Sequence, residues 1–66
     1  MKLILNGEPK VIDDVVTLAD ALEHFELPSA TFAIALNQTF VPREQYASIH
    51  LSEGDHIEIV TAMVGG

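Results

Sequence analysis

The stretch that decides the fold is residues 53–60, which read EGDHIEIV. Its opening EGD has the composition of a turn, and the residues that follow alternate in hydrophobicity. Ile57 and Ile59 are therefore predicted to face the core, while Glu58 and Val60 face outward. Because the segment is rich in β-branched residues, we expect a strand in the middle of a sheet.

The N-terminal residues predict a β-hairpin. Residues 1–5 form its first strand, and Asn6-Gly7 is the pair that a type I′ turn favours, since both residues tolerate positive φ. Val11 and Ile12 then lie on the returning strand. Pro9 cannot donate a ladder hydrogen bond, so this second strand is predicted at a sheet edge.

A helix is predicted from residue 18 to about residue 26. Thr17 has the chemistry of an N-cap, and Asp20 places an acidic group at the positive end of the helix dipole. Pro28 marks the end, because proline disfavours a helical conformation in the residue before it. Apolar residues recur at three- and four-residue spacing and give one apolar face: Leu18, Ala21, Leu22 and Phe25.

Residues 33–37 form the predicted third strand, with Ile34 and Leu36 on one face. The other face has little bulk and carries Ala33, Ala35 and Asn37. A short fourth strand at Phe40-Val41 ends at Pro42, and residues 44–48 are predicted to form a turn of helix.

This element order predicts an α+β fold, with a mixed sheet of four to five strands packed on one main helix. The first and last strands are expected side by side and parallel in the middle, with the helix in the right-handed crossover between the sheet halves. That arrangement is the β-grasp architecture. Residues 1–60 form the predicted domain, and residues 61–66 form a flexible tail.

Composition narrows the functional classes. The chain has 66 residues, enough for one domain, and a formal net charge of -7, which repels nucleic acid and anionic membranes. A basic protein partner is the expected complement, and the free chain is expected to be a monomer. No apolar stretch approaches the ~20 residues of a membrane span, and no signal-peptide pattern is present, which predicts a cytoplasmic protein.

Side chains that usually carry chemistry are sparse. Cysteine is absent, so disulfides, thiolate metal sites and thiol nucleophiles are excluded. The chain's three histidines lack compact ligand spacing, and no metal site is predicted. Asp13-Asp14 has no nearby nucleophile or base, and we assign it no catalytic role. The protein is therefore not expected to be an enzyme.

The chemistry that remains lies in the C-terminal tail, TAMVGG. A terminal carboxylate accepts sulfur only after activation, most simply by ATP to an acyl-adenylate on a partner enzyme. Gly66 suits such a substrate because it lacks Cβ and threads a narrow channel, and Met63, Val64 and Gly65 are predicted to be recognised with it. Attack by a persulfide and reductive cleavage would leave a thiocarboxylate on Gly66. The alternative is an ordinary frayed or truncated end.

The sheet face opposite the helix is predicted to dock a partner, with outward residues that include Ile4, Ala33, Ala35 and Val60. Small alanines let a partner approach closely, and Met63 adds an apolar contact near the tail. Scattered exposed apolar residues are also normal on monomers. Arg43 is a further candidate contact, with an exposed charge or a local salt bridge as the alternative. Phe40 belongs either to this face or to the core.

From residue 33 onward the chain resembles the ThiS family, the sulfur carriers of thiamine biosynthesis. The resemblance rests on Leu36-Asn37 followed by Val41-Pro42-Arg43, on residues 54–59, GDHIEI, and on the terminal Gly65-Gly66. It implies a ubiquitin-like β-grasp carrier that binds no cofactor and is adenylated at Gly66 by an E1-like enzyme using ATP. It also implies sulfur from cysteine through a protein such as a cysteine desulfurase, and delivery to thiazole synthase.

The same fold and tail also occur in other proteins, so several functions remain open. These are the small subunit of molybdopterin synthase, other sulfur carriers and ubiquitin-like protein modifiers, and Val41-Pro42-Arg43 favours thiamine among them. A nucleic-acid-binding module is disfavoured by the charge and by the lack of a basic, aromatic face.

Overall fold

The computed structural model describes residues 1–29 and 31–61, and a mixed five-stranded sheet is its main feature. A short helix covers one face of the sheet, and a 3₁₀-helix lies in the segment between the last two strands. In chain order the elements are β1 (Lys2–Leu5), β2 (Glu8–Val11), α1 (Leu18–Leu22), β3 (Phe32–Leu36), β4 (Thr39–Val41), the 3₁₀-helix (Arg43–Gln45) and β5 (His56–Thr61).

The strand order is β2-β1-β5-β3-β4, with β5 in the centre. β5 runs parallel to β1 and antiparallel to β3, so the predicted central position and the predicted parallel pairing are both confirmed. β2 is an edge strand, as Pro9 requires. The predicted β-grasp arrangement is therefore correct, with five strands.

The core lies between α1 and one face of the sheet. Ile57 is fully buried and Ile59 packs against the core, as their alternation with outward residues predicts. The buried apolar residues come from every strand except β2, from α1, and from the connecting segments: Leu3, Ile12, Val15, Leu18, Ala21, Leu22, Ile34, Val41, Leu51 and Ile57.

Two tight turns, at opposite ends of the sheet, are built on asparagines. Asn6 and Gly7 have φ of 48° and 83°, which confirms the predicted hairpin turn. Asn37 and Gln38 have φ of 49° and 70° and join β3 to β4. The prediction that Asn37 continues β3 is therefore wrong, because the left-handed conformation that Asn tolerates ends the strand at Leu36.

The helix is shorter than predicted. It ends at Leu22, and the following turn uses i to i−3 bonds, from His24 N–H to the Ala21 carbonyl at 3.0 Å and from Phe25 N–H to the Leu22 carbonyl at 3.3 Å. A tightened last turn of this kind keeps an i+3 apolar residue on the core side. Phe25 therefore still packs against the core.

The N-terminus of α1 is held from two directions. Thr17 Oγ1 accepts from Asp20 N–H at 3.2 Å, and the Asp20 carboxylate accepts from Thr17 N–H at 2.9 Å, which makes a capping box. The N–H groups of Leu18 and Ala19 donate to the carbonyls of Ile49 and Tyr46. The segment after β4 thus satisfies helix donors that would otherwise lack partners.

Thr17→Ala is expected to lower the free energy of unfolding by about 1 kcal/mol, because it removes the side-chain acceptor of this cap. Urea denaturation measures the change, and Thr31→Ala, at an exposed position outside any helix or strand, is the matched control. If both variants lowered the free energy of unfolding equally, the stabilising role of the Thr17 cap would be contradicted.

Lowering the pH is expected to remove the contribution of the Asp20 carboxylate to the stability of the fold. Hydrogen bonds from the N–H groups of Thr17 and Val16 hold the pKa of the Asp20 carboxyl below its usual value. A lowered folded-state pKa adds stability above the unfolded-state pKa, and that stability disappears as pH falls through the folded-state pKa. Wild type is therefore expected to exceed Asp20→Asn in stability at pH 7 and to approach it in acid. Urea denaturation measures both proteins at pH 7 and in acid. If the difference in free energy of unfolding between wild type and Asp20→Asn were the same at both pH values, the stabilising role of the Asp20 carboxylate would be contradicted.

Further element boundaries differ from the sequence prediction. β2 ends at Val11, so Ile12 lies just beyond the returning strand, and β3 begins at Phe32. β4 begins one residue earlier, at Thr39, and the predicted turn of helix is the 3₁₀-helix Arg43–Gln45. β5 continues through Thr61, which pairs with Phe32 instead of opening the tail. Within residues 1–29 and 31–61, no helix is long and apolar enough to cross a membrane.

Candidate docking face and C-terminal strand

The sheet face opposite α1 is open, and strand register brings the predicted docking residues together on it. Ile4 lies beside His56, Ala33 lies beside Val60, and Ala35 lies between Glu58 and Phe40. We call this set the open face: Ile4, Ala33, Ala35, Phe40, His56, Glu58 and Val60. Ala33, Ala35 and Val60 are thus neighbours, while Ile4 lies on the same face across β5, beside His56. The docking role of all four stays a prediction.

Phe40 belongs to the open face, which the sequence left undecided. Opposed residues of an antiparallel pair point to the same side, and Phe40 stands opposite Ala35 while Val41 stands opposite the buried Ile34. Phe40 is 64% exposed and Val60 is 54% exposed. Two large apolar side chains therefore flank the small alanines of β3.

Arg43 does not join the open face. It lines a shallow groove of ≈ 500 Å³ on the helix side of the sheet, together with Asp20, Glu23, Leu27 and Tyr46, among others. Pro42 ends β4, and the chain then turns into the 3₁₀-helix toward α1. Among residues 1–29 and 31–61 the single ion pair is Lys10–Glu8 at 3.8 Å, so the local salt bridge that the sequence suggested for Arg43 is not formed there.

The side-chain amides of the two asparagine turns accept hydrogen bonds from β5, one on each side of the strand. The Asn6 Oδ1 atom accepts from Ile59 N–H at 2.9 Å, on the side of β1. The Asn37 Oδ1 atom accepts from His56 N–H at 2.9 Å, on the side of β3. Each amide oxygen takes the place of a strand carbonyl where its own strand has ended, so both contacts extend the ladders that fix β5.

The turn before β5 is fixed in a similar way by carboxylates. Asp55 Oδ1 accepts from Asn37 Nδ2 at 3.1 Å, and Asp55 Oδ2 accepts from Ser52 N–H at 2.8 Å. Glu53 Oε2 accepts from Lys2 N–H at 2.8 Å. The start of the central strand is thus tied to the start of β1 and to the β3–β4 turn.

The hydrogen bonds of these supporting side chains were not predicted from the sequence. Asn6 and residues 53–55 were predicted as turns, but composition alone does not show which backbone N–H group a side-chain amide or carboxylate will accept from. A usable signal was present at Asn37, since Asn followed by a polar residue between two apolar runs is compatible with positive φ.

β5 is the strand that precedes the C-terminal tail. Thr61 is the last residue that the structure describes on this strand, and it is exposed at the end of the sheet. The predicted modified residue Gly66 and the predicted recognition residues Met63, Val64 and Gly65 lie outside the described residues.

The other candidate groups are dispersed. His24 follows α1, His50 forms an isolated bridge with Thr17, and His56 is on the open face. Over residues 1–29 and 31–61, His, Asp and Glu form no group of three or more that could hold a metal ion. Asp13 and Asp14 are exposed in the connection between β2 and α1.

Comparison with known proteins gives consistent matches across the chain. The model of the ThiS family matches residues 3–66. The sulfur carrier protein ThiS of Escherichia coli K12 is 32% identical over 66 residues, which cover both chains completely. The crystal structure of a thiamine biosynthesis protein (ThiS) from Geobacter metallireducens superposes with a TM-score of 0.84 at 26% identity, covering all of both chains.

A second kind of relative is much longer. A thiazole synthase of Paramagnetospirillum magneticum is 33% identical over 66 residues, which are 100% of this chain but 20% of that protein. The chain thus spans one fifth of the length of this relative. A segment similar to the present chain is part of a protein named for thiazole synthesis.

Proposed function

Because the chain belongs to the ThiS family, we propose that it carries sulfur for thiamine biosynthesis as a thiocarboxylate on Gly66. The observation that carries this proposal is the family match over residues 3–66, which includes the terminal Gly65-Gly66 as well as the sheet. The relative from E. coli, matched over its full length, is named as a sulfur carrier. The absence of cysteine is compatible, since the sulfur then resides on the main-chain terminus.

The proposed loading has three steps. The Gly66 carboxylate attacks the α-phosphate of ATP on an E1-like partner, pyrophosphate leaves, and an acyl-adenylate forms. A persulfide sulfur from a cysteine desulfurase or similar sulfur-transfer protein then attacks the acyl carbon, and AMP leaves. A second thiol finally attacks the transfer protein's sulfur in the resulting acyl disulfide. A new disulfide forms there, the S–S bond to the acyl sulfur breaks, and the thiocarboxylate remains on Gly66.

In this chemistry the carrier and its partners have different roles. ATP and its phosphate charges are bound by the adenylating partner, whose groups stabilise the charge that develops during transfer. The carrier contributes a terminus whose glycines lack Cβ and fit a narrow channel. It is consumed as a substrate and regenerated in each cycle, and it performs no catalytic step itself.

The open face is the proposed docking surface for the adenylating partner. It lies on the same sheet as β5, the strand that leads to the tail, and it exposes Phe40 and Val60 beside small alanines. A partner seated there holds the carrier by rigid strands while the tail reaches the site of chemistry. Aromatic anchors surrounded by weaker contacts are typical of such interfaces.

Thiazole synthase is the proposed acceptor of the sulfur. The longer relative named thiazole synthase contains a segment similar to this chain, and fusion of two functions in one polypeptide favours their physical association. The test is to load the purified chain and then add thiazole synthase with its substrates. Conversion of the thiocarboxylate back to a carboxylate, with thiazole formed, is expected. Transfer only to the large subunit of molybdopterin synthase would overturn the assignment to thiamine.

A further inference from the structure

The centre of the open face carries a charged side chain where an apolar one would suit the sheet better. Glu58 lies on the central strand β5, is exposed, and has Val60 and His56 as its neighbours on the same face. Glutamate is depleted in strands, where β-branched and aromatic side chains pack best. Within the part of the chain that the structure describes, no Lys or Arg forms an ion pair with Glu58.

The residue paired with Glu58 on the neighbouring strand β3 is a small alanine. Ala35 stands between Glu58 on β5 and Phe40 on β4 in a single row across the strands. Neighbouring Cα atoms in such a row are about 5 Å apart, so the Cα atoms of Glu58 and Phe40 are separated by about 10 Å. Side chains on one face of a sheet stand roughly perpendicular to it, so the short Ala35 methyl group leaves space between the longer Glu58 and Phe40 side chains. We call this space the trough.

Docking through the open face creates an electrostatic requirement. A partner that covers Glu58 removes water from its carboxylate, and an ionised group buried without a partner is strongly unfavourable. The covering surface must therefore supply a cation. The net charge of -7 adds a long-range attraction for a positively charged surface.

The shape of the trough selects the kind of cation. A guanidinium group is planar, donates two parallel hydrogen bonds to a carboxylate and stacks on aromatic rings. A lysine ammonium is a compact point charge that does not bridge two walls in this way. Arginine is also enriched at the energetic centres of protein interfaces.

We propose that the trough formed by Glu58, Ala35 and Phe40 receives an arginine side chain of the adenylating partner. The guanidinium lies over Ala35, pairs with the Glu58 carboxylate and stacks against the ring of Phe40. The proposal deepens the proposed function and rests on it, since it names what the partner must present to the open face.

The first test is the dissociation constant between the carrier and its adenylating enzyme. Glu58→Gln is expected to weaken binding about 30-fold or more, because one member of a buried charged pair is lost. Glu23→Gln removes the same charge from an exposed residue in the groove on the helix side, and binding within about twofold of wild type is expected there. Equal effects of the two variants would overturn the proposal.

Phe40→Leu tests the aromatic wall. It keeps apolar bulk and removes the ring, and a loss of affinity of about threefold to tenfold is expected. Because both side chains touch one guanidinium, the double variant should bind more tightly than the product of the two single effects predicts. Independent effects would contradict the shared arginine. Thermal melts of each variant confirm that the fold is retained.

Labelling identifies the cation directly. The partner is treated with an arginine-selective dicarbonyl reagent in the presence of wild-type carrier or Glu58→Gln, and its peptides are mapped by mass. One arginine protected by wild type and exposed with the variant supports the proposal, and no such arginine overturns it. If wild type is loaded normally but Glu58→Gln binds as tightly, only this inference fails. If wild type neither binds nor is loaded, the proposed function fails with it.

Discussion

A chain with a carboxamide in place of the Gly66 carboxylate is expected to form no detectable adenylate with ATP and its adenylating enzyme. The amide changes only the terminal group and leaves the sequence and sheet untouched. It lacks the anionic carboxylate oxygen that attacks the α-phosphate. Chemical synthesis of a 66-residue chain without cysteine gives this variant directly. Release of pyrophosphate and intact mass measure the outcome.

Gly66→Ala is the companion variant for this prediction. It restores the carboxylate but adds a Cβ, which narrows the conformations open to the terminus and fills space in a tight channel. Adenylate is expected to form more slowly than with wild type, in contrast to its absence with the carboxamide. Equal adenylation of the carboxamide and wild type would place the modified group elsewhere in the chain.

Ile57→Ala is expected to lower the free energy of unfolding by about 2–5 kcal/mol, because it opens a cavity at a fully buried site. Ile57 is 0% exposed and lies on the central strand, opposite Leu5 on one side and Leu36 on the other. Small domains have free energies of unfolding of only about 5–15 kcal/mol, so this one change removes a large part of the total stability. Urea denaturation measures it.

Val60→Ala is the control for the buried position. It shortens a β-branched residue on the same strand but at a site that is 54% exposed on the open face. A loss of no more than about 1 kcal/mol is expected, from strand propensity. Comparable losses at both positions would contradict the assignment of Ile57 to the core and Val60 to the open face.

Much of the fold followed from local chemistry. Asn6-Gly7 fixed the first hairpin, Pro9 placed β2 at an edge, and the alternation around Ile57 gave the central strand its inner face. Each of these signals has one physical meaning: positive φ, a missing N–H donor, or a period of two. The topology could be predicted because these local requirements agree with one another.

The helix length could not be read from the same kind of signal. Phe25 continues the apolar spacing of Leu18 and Leu22, but spacing of three residues fits a tightened turn as well as an α-helix. Only the hydrogen bonds separate the two, and those depend on the packing of the segment after Leu22 on the core. The pattern therefore placed the right residues inside and gave the wrong boundary.

Only part of the open face could be predicted from the sequence. Ala33, Ala35 and Val60 follow from alternation within their strands, whereas the side of Phe40 depends on the number of residues in the turn before it. Asn37 and Gln38 both adopt positive φ, which makes that turn two residues long, and neither residue is glycine. Arg43 was assigned to the partner contact because it is one of three basic residues, and charge alone does not indicate which side of the sheet a loop follows.

The most direct test of the account is alkylation of the loaded chain. The purified protein is incubated with ATP, a sulfur source and its adenylating enzyme, and intact and C-terminal peptide masses are taken before and after a thiol-selective alkylating agent. The chain contains no cysteine, so labelling has no side-chain thiol to compete with it. The account predicts a mass gain equal to sulfur replacing oxygen, alkylatable and confined to Gly66. A terminus that gains neither adenylate nor sulfur with its cognate enzyme would contradict it.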